Sequence, residues 1–240
     1  MGELSKLLLG FRPLDALRIA RDTGALVEVV PEFGAVIGYD LGTARQPVTL
    51  DEHVFAVVQN AADAGASLPV RLTALFHDLG KPDADDRDHA QVGASTTGRI
   101  MRRLRYSNTL RQEVVRLVAA HAFWLDGPID GVFARRFLAS HGLGRARDLL
   151  LHKRVDLAAK RVEPWELEHL ALLERRVEEQ RDAPYRLADL SVDGRDLIEL
   201  GYREGPALGA ELARLLDVVI DDPSANERDT LLGLAREALA

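Results

Sequence analysis

A histidine followed directly by an aspartate, His77-Asp78, puts a nitrogen donor and a carboxylate donor next to each other. Adjacent residues on a helix do not share a face, but at a fraying last turn their side chains can converge on one cation. The dipeptide alone is weak evidence, and its surroundings strengthen it. His53 lies one turn before Val57 on an apolar stripe, and His121 ends the stripe of Leu110, Val114, Leu117 and Val118. Asp156 falls two turns after Leu149 on a further apolar face, where an unpaired carboxylate is costly. With no evident basic partner on its own helix face, Asp156 is expected to take its missing charge from a divalent cation. Each histidine taken singly reads as a hydrogen-bonded core residue. Three imidazoles and two carboxylates on core-facing positions of four helices together read as a metal site. Mixed nitrogen and carboxylate donors suit Mn, Fe, Co, Ni or Zn, and Mg less naturally.

The elements that carry these residues read as helices throughout. Thr49 with Glu52 forms a capping-box pattern for a helix over 50–64, and Gly65 stands at its C′ position. Ser67 and Pro69 open a second helix that stops at Gly80-Lys81-Pro82, so His77-Asp78 falls at its end. An acidic connector with Asp83, Asp85, Asp86 and Asp88 leads to a third helix beginning near His89, and Asn108 caps a fourth. Asp130 opens a helix that stops at Gly142. Others are expected over about 144–162, from Pro164 to about Gln180, over 193–200 and 206–220, and after a second capping box at Ser224 and Glu227. Val27 to Val30 and Ala35 to Gly38 are the only strand-like runs, each bracketed by Pro or Gly. About ten helices and an all-α fold are expected, with a boundary near residue 183 at Asp182-Ala183-Pro184.

Composition narrows the chemistry further. Seven histidines and no cysteine among 240 residues exclude disulfides, thiol nucleophiles, zinc fingers and iron–sulfur clusters. The apolar stretches at Leu7 to Leu9 and Gly24 to Pro31 are far shorter than a membrane helix needs. Acidic Glu3 before a short apolar run is unlike a signal peptide, so a soluble, cytoplasmic protein without membrane association is expected. The net charge of −7 conceals a segment, Arg99 to Arg161, with 14 basic and five acidic residues. Such a basic middle suits a phosphate-binding surface.

The order His53, His77-Asp78, Asp156 resembles the HD superfamily of metal-dependent phosphohydrolases. A narrower resemblance runs through Leu75-Phe-His-Asp-Leu-Gly-Lys-Pro82, His89-Ala-Gln-Val-Gly-Ala94 and Arg103-Leu-Arg-Tyr-Ser107. These look like the HD half of bacterial tRNA nucleotidyltransferases, the CCA-adding and poly(A)-polymerase-like family. Glu3-Leu-Ser-Lys-Leu-Leu8, Thr23-Gly24 and Pro31-Glu32 resemble the region before that half. Leu190-Ser-Val-Asp-Gly-Arg-Asp-Leu197 and Gly205-Pro-Ala-Leu-Gly209 resemble its tail. The resemblance implies an HD-domain helical bundle over 49–182, flanked by neck-like helices over 1–48 and tail-like helices over 183–240. No segment before His53 resembles the Gly-Ser loop and paired aspartates of the family's nucleotidyltransferase head, so nucleotide addition by this chain alone is not expected.

The same resemblance makes His53, His77, Asp78 and Asp156 the primary metal ligands and adds His89 and His121 for a second ion. It implies hydrolysis at one or two cations that activate water and stabilise an in-line transition state. Asp78 would bridge the ions or hold the attacking water, and Lys81 would meet a phosphate oxygen. Arg102, Arg103 and Arg105 would recognise phosphate or an RNA backbone. His152, one turn before Asp156, falls on the same face without a counterpart in the family pattern, while His141 and His169 read as structural. The expected function is a phosphodiesterase or phosphatase acting on nucleotides or RNA ends such as 2′,3′-cyclic phosphates. The alternatives are a tRNA-binding subunit partnering a separate nucleotidyltransferase head and an HD-type nucleotidase, with oligomeric state left open.

Overall fold

The computed structural model describes residues 2–84 and 88–239, and within them every regular element is helical. Helices α1 (Glu3–Leu8), α2 (Pro13–Asp22) and α3 (Ala25–Val29) precede α4 (Leu50–Asp63) and α5 (Leu68–Phe76). Then come α6 (His89–Arg103), α7 (Asn108–Ala120), α8 (Gly131–Leu157) and α9 (Pro164–Glu179). Helices α10 (Gly194–Leu200), α11 (Pro206–Asp221) and α12 (Arg228–Leu239) close the chain. The strand-like runs near residues 27–38 fall in α3 and a 3-10 turn, Pro31–Ala35, and an isolated bridge, Thr43 with Gln46, is the one trace of β-pairing among the described residues. No helix among them is long and apolar enough to cross a membrane.

Two compact units emerge, and they cut across the three segments expected from sequence. Residues 1–126 with 147–170 form the first, and 127–146 with 171–240 the second. The crossover is α8, in which a first helical run stops at Gly142, as expected, and a second begins directly after it. Gly142 has φ 71° and ψ 155°, so the helix is kinked there.

In the first unit α4 packs on α2 and α5, and α7 packs on α5 and α6. Phe33, Phe55, Phe76, Leu72 and Ile100 are fully buried in a core that extends from Leu8 to Val155, so the neck-like helices share the core of the bundle. Buried Arg71 secures them by donating to the carbonyls of Leu8, Gly10 and Ala66. Asn60 on α4 donates to the Val155 carbonyl at 3.0 Å, fixing the residue before Asp156 against the helix that carries His53. The second unit has its own core of Val192, Leu197, Leu215, Val219, Leu231 and Ala235.

Neither sequence-predicted capping box forms. Thr49 is the N-cap of α4 but makes no side-chain cap bond, and Glu52, which would return to the N-cap amide, is taken by Arg18 and Arg21 of α2. Ser224 sits in a 3-10 turn bonded to Asp222, and α12 begins only at Arg228. A true capping box instead starts α10 at Asp193 and Asp196, and Ser107, one residue before the expected Asn108, caps α7. Of the acidic connector, Asp85 and Asp86 lie outside the described residues.

Candidate metal centre

Six donor residues meet from five separate elements of the first unit. His53 comes from the first turn of α4, His77 and Asp78 from the turn after α5, and His89 is the first residue of α6. His121 directly follows α7 and Asp156 lies in the last turn of α8. None of the six is more than 7% exposed.

Asp156 Oδ1 stands 3.1 Å from His53 Nε2 and 3.5 Å from His77 Nε2, and these three residues form one potential metal-holding group. Asp78, His89 and His121 form a second. In it Asp78 Oδ1 is 3.8 Å from His89 Nε2 and 3.6 Å from His121 Nε2, and the two nitrogens are 3.3 Å apart. The other oxygen of Asp78, Oδ2, faces the first group, 3.2 Å from His77 Nε2 and 3.7 Å from His53 Nε2. One carboxylate therefore stands between two sets of imidazoles with an oxygen toward each.

The unpartnered atoms match what a cation would require. His53 Nε2, His77 Nε2 and Asp156 Oδ1 are buried without a hydrogen-bond partner. His77 Nδ1 donates to the Ala74 carbonyl at 2.9 Å and His121 Nδ1 to the Val118 carbonyl at 2.6 Å. In the neutral rings those bonds leave each Nε2 lone pair directed inward, the second-sphere arrangement that metal-ligating histidines use.

Electrostatics point the same way. Burial alone would push the His77 imidazolium down, yet Asp78 and Asp156 lift it to about 9, so a proton on His77 supplies charge that a cation would otherwise bring. Burial would raise both carboxyls; His77 and Lys81 hold Asp78, and Lys160 with His53 and His77 hold Asp156, well below the usual carboxylate range. Burial lowers His53 and His121, which favours their neutral, ligating forms. Cation binding must displace the His77 proton. Below pH about 9 the apparent affinity should therefore rise with pH, by up to tenfold per unit, and flatten above it. Titrating metal-stripped protein with Zn at several pH values checks this, and a pH-independent affinity would refute it.

Asp156 does have a basic partner on its own helix face, contrary to the sequence expectation. The helix ends at Leu157, and turn hydrogen bonds over Ala158 to Lys160 bring Lys160 Nζ to 2.6 Å from Asp156 Oδ2. The i,i+4 spacing of Asp156 and Lys160 is the signal that would have found it. Lys160 takes the oxygen that faces away from the imidazoles, leaving Oδ1 as a single donor. Lys160→Met should weaken Zn binding about tenfold or more if this bond orients the ligand, and Lys160→Arg should retain most of it. A purely electrostatic role predicts the opposite sign, tighter binding once a nearby cation is removed.

His152 also belongs to the cluster. It is 1% exposed, its ring lies 4.9 Å from that of His77 and 5.8 Å from that of His121, and its Nε2 has no hydrogen-bond partner. Burial, with the neighbouring His77 and His121, holds it well below the usual histidine range. Its signal in the sequence was the spacing of one turn to Asp156.

Lys81 is brought in as well, with Nζ 2.7 Å from Asp78 Oδ2. The three arginines are not. Arg102 and Arg103 lie at the far end of α6 from His89, about 20 Å along the axis. Arg103 pairs with Glu32 at 2.8 Å, and Arg105 turns away from the helix at a left-handed φ of 59°. The regular rise of a continuous helix keeps Arg102 and Arg103 from a phosphate held at the donors. His141 packs on Phe137, and His169 Nδ1 donates to the Leu125 carbonyl.

The HD domain family matches residues 50–185. The multifunctional CCA protein of Cupriavidus metallidurans is 33% identical over 126 residues, which cover 50% of this chain and 30% of that protein. That of Methylobacillus flagellatus is 32% identical over 161 residues, 62% of this chain and 39% of the relative. A Burkholderia mallei multifunctional CCA protein is 40% identical over 80 residues, 33% of this chain and 19% of the relative. The chain thus spans well under half the length of these relatives. With its donors in the order His53, His77-Asp78, Asp156 and the match covering more than half its length, the chain belongs to the HD domain family, a superfamily of metal-dependent phosphohydrolases.

Proposed function

We propose that this chain hydrolyses phosphate esters of nucleotides or RNA ends, 2′,3′-cyclic phosphates among them, in the cytoplasm. Asp78, with one oxygen toward His53 and His77 and the other toward His89 and His121, is the observation that carries this reading. His53, His77 and Asp156 would hold one divalent cation and His89 and His121 a second, with Asp78 between them; Mn, Fe, Co, Ni or Zn suits these donors better than Mg. When bound, such ions supply Lewis acidity toward water and positive charge for an in-line phosphoryl transition state.

The chain's own residues do the rest. Burial of the donors keeps competing water away and strengthens every charge interaction at the centre. Asp78 orients the attacking water, and Lys160 fixes Asp156 in a one-oxygen presentation. Lys81, its side chain 12% exposed and its Nζ beside Asp78, would meet the incoming phosphoryl oxygen as a point charge. Elemental analysis of the purified protein, paired with assays of 2′,3′-cyclic AMP, mononucleotides and phosphorylated RNA ends in Mn, Ni, Co, Zn and Mg, tests the proposal. One or two bound ions with turnover are expected; protein that takes up no metal and turns over none of these esters would overturn it.

The relatives' name and the tail resemblance over residues 190–209 favour a second reading, a tRNA-binding subunit that partners a separate nucleotidyltransferase. Under it Arg102→Glu should weaken RNA binding and flatten its salt dependence, while Asp78→Ala leaves both unchanged.

A further inference from the structure

Two segments that supply donors to the cluster run on to the surface, and each carries an exposed tryptophan. After His121 the chain continues in irregular backbone to Trp124, 75% exposed. After Asp156 it passes Lys160 and Arg161 and enters α9 at Trp165, 42% exposed. These are the only two tryptophans in the chain.

The segments are fastened together at several points. His169 Nδ1 donates to the Leu125 carbonyl at 2.6 Å, and the Trp165 ring lies edge-on to His169 with centroids 5.4 Å apart. The Arg161 amide donates to the Arg45 carbonyl at 2.9 Å, and the Arg45 guanidinium pairs with Glu166, next to Trp165. Lys153, which follows His152, donates to the Phe123 carbonyl at 2.9 Å. The exposed Arg161 side chain has no hydrogen-bond or ion-pair partner among the described residues.

Large indoles left in water on a braced backbone, beside an unpaired guanidinium, fit a ligand with a π-face and a negative charge. The three residues from His121 to Trp124 span at most about 10 Å, a distance a short nucleotide bridges. The exposed Arg161 guanidinium complements the phosphate end of such a ligand.

We propose that Trp124, Trp165 and Arg161 form a platform that stacks the base and meets the phosphate of a nucleobase-bearing ester whose reacting phosphoryl group lies at the metal cluster. The assignment of substrate class rests on the hydrolase reading above, while base binding at this surface is measurable without turnover. Intrinsic fluorescence of the Zn-loaded protein, read within seconds of mixing, reports it directly because each single substitution leaves one indole as a probe.

AMP should quench the fluorescence saturably, and ribose 5-phosphate should bind more weakly without quenching. Trp124→Ala and Trp165→Ala should each weaken AMP about tenfold while leaving ribose 5-phosphate unchanged, and Trp124→Phe should retain most of the affinity. Wild-type AMP affinity in both alanine variants would overturn the platform, as would equal losses for the two ligands. So would a dimer in sedimentation that Trp124→Ala dissolves without changing AMP binding, since a second copy would then be the occupant. Turnover of base-free and base-bearing esters alike, with no effect of the alanine variants, would sink the platform and leave the hydrolase. Saturable AMP quenching that responds to these variants, without turnover of any ester, would support the platform and sink the hydrolase.

Discussion

With two ions held as proposed, alanine in place of Asp78 is expected to abolish binding of both, where Asp156→Ala should remove one. Among the described residues only Asp78 directs an oxygen to each group of imidazoles, Oδ2 toward His53 and His77 and Oδ1 toward His89 and His121. Asp156 serves the first group alone. Metal content after exhaustive dialysis should fall from two equivalents to well under one in Asp78→Ala, with turnover at background. Breaking a buried ion pair by removing one partner costs about 3–5 kcal/mol, and Lys81 would lose its partner, so Asp78→Asn is the matched control. It keeps the volume and removes the charge, and it should show the same metal loss with a smaller change in Tm. Either variant retaining two equivalents, or one at wild-type affinity, would refute the bridging role.

Gly80→Ala is expected to unseat the second group while sparing the first. A β-carbon on Gly80 would lie 2.1 Å from the His89 carbonyl oxygen, 2.9 Å from its carbon and 2.7 Å from the Gly93 nitrogen. All three are backbone atoms, so no side-chain rotation relieves the clash. The turn that carries Gly80 and the start of α6 must move apart, and His89 is displaced relative to that turn. Such overpacking costs about 3 kcal/mol, visible as a lower Tm. Metal content should fall toward one equivalent, because His53, His77 and Asp156 come from other elements. Gly93→Ala meets its nearest atoms only at 3.3 Å and should be milder. Unchanged Tm and two equivalents in Gly80→Ala would show that this close approach does not set the position of His89.

Much of the helical order was legible from the sequence, because local signals decide where a helix can start and stop. Gly65, Pro69, Gly80 and Pro164 mark boundaries through backbone constraints that act within a few residues. The two failed capping boxes show the limit of such signals. Glu52 could bond its own helix terminus or the guanidinium groups of Arg18 and Arg21, and the distant partners prevail. Ser224 is drawn to Asp222 in the same manner. Gly142 marks the stop and restart of a helix locally, but nothing there says that α8 carries the chain between two compact units.

The sequence by itself determined which donors face the core: helical periodicity places His53 and Asp156 on buried stripes and sets His121 at the end of another, and covalent adjacency ties Asp78 to His77. It also determined the family, through motifs that span a few residues each. The tertiary structure decided how those donors combine. Which oxygen of Asp78 faces which imidazoles and the admission of His152 depend on how five elements pack. Spacing along one helix fixes a direction to within a turn. The ångström distances that turn buried donors into a metal centre arise only when side chains from separate elements fill the same space.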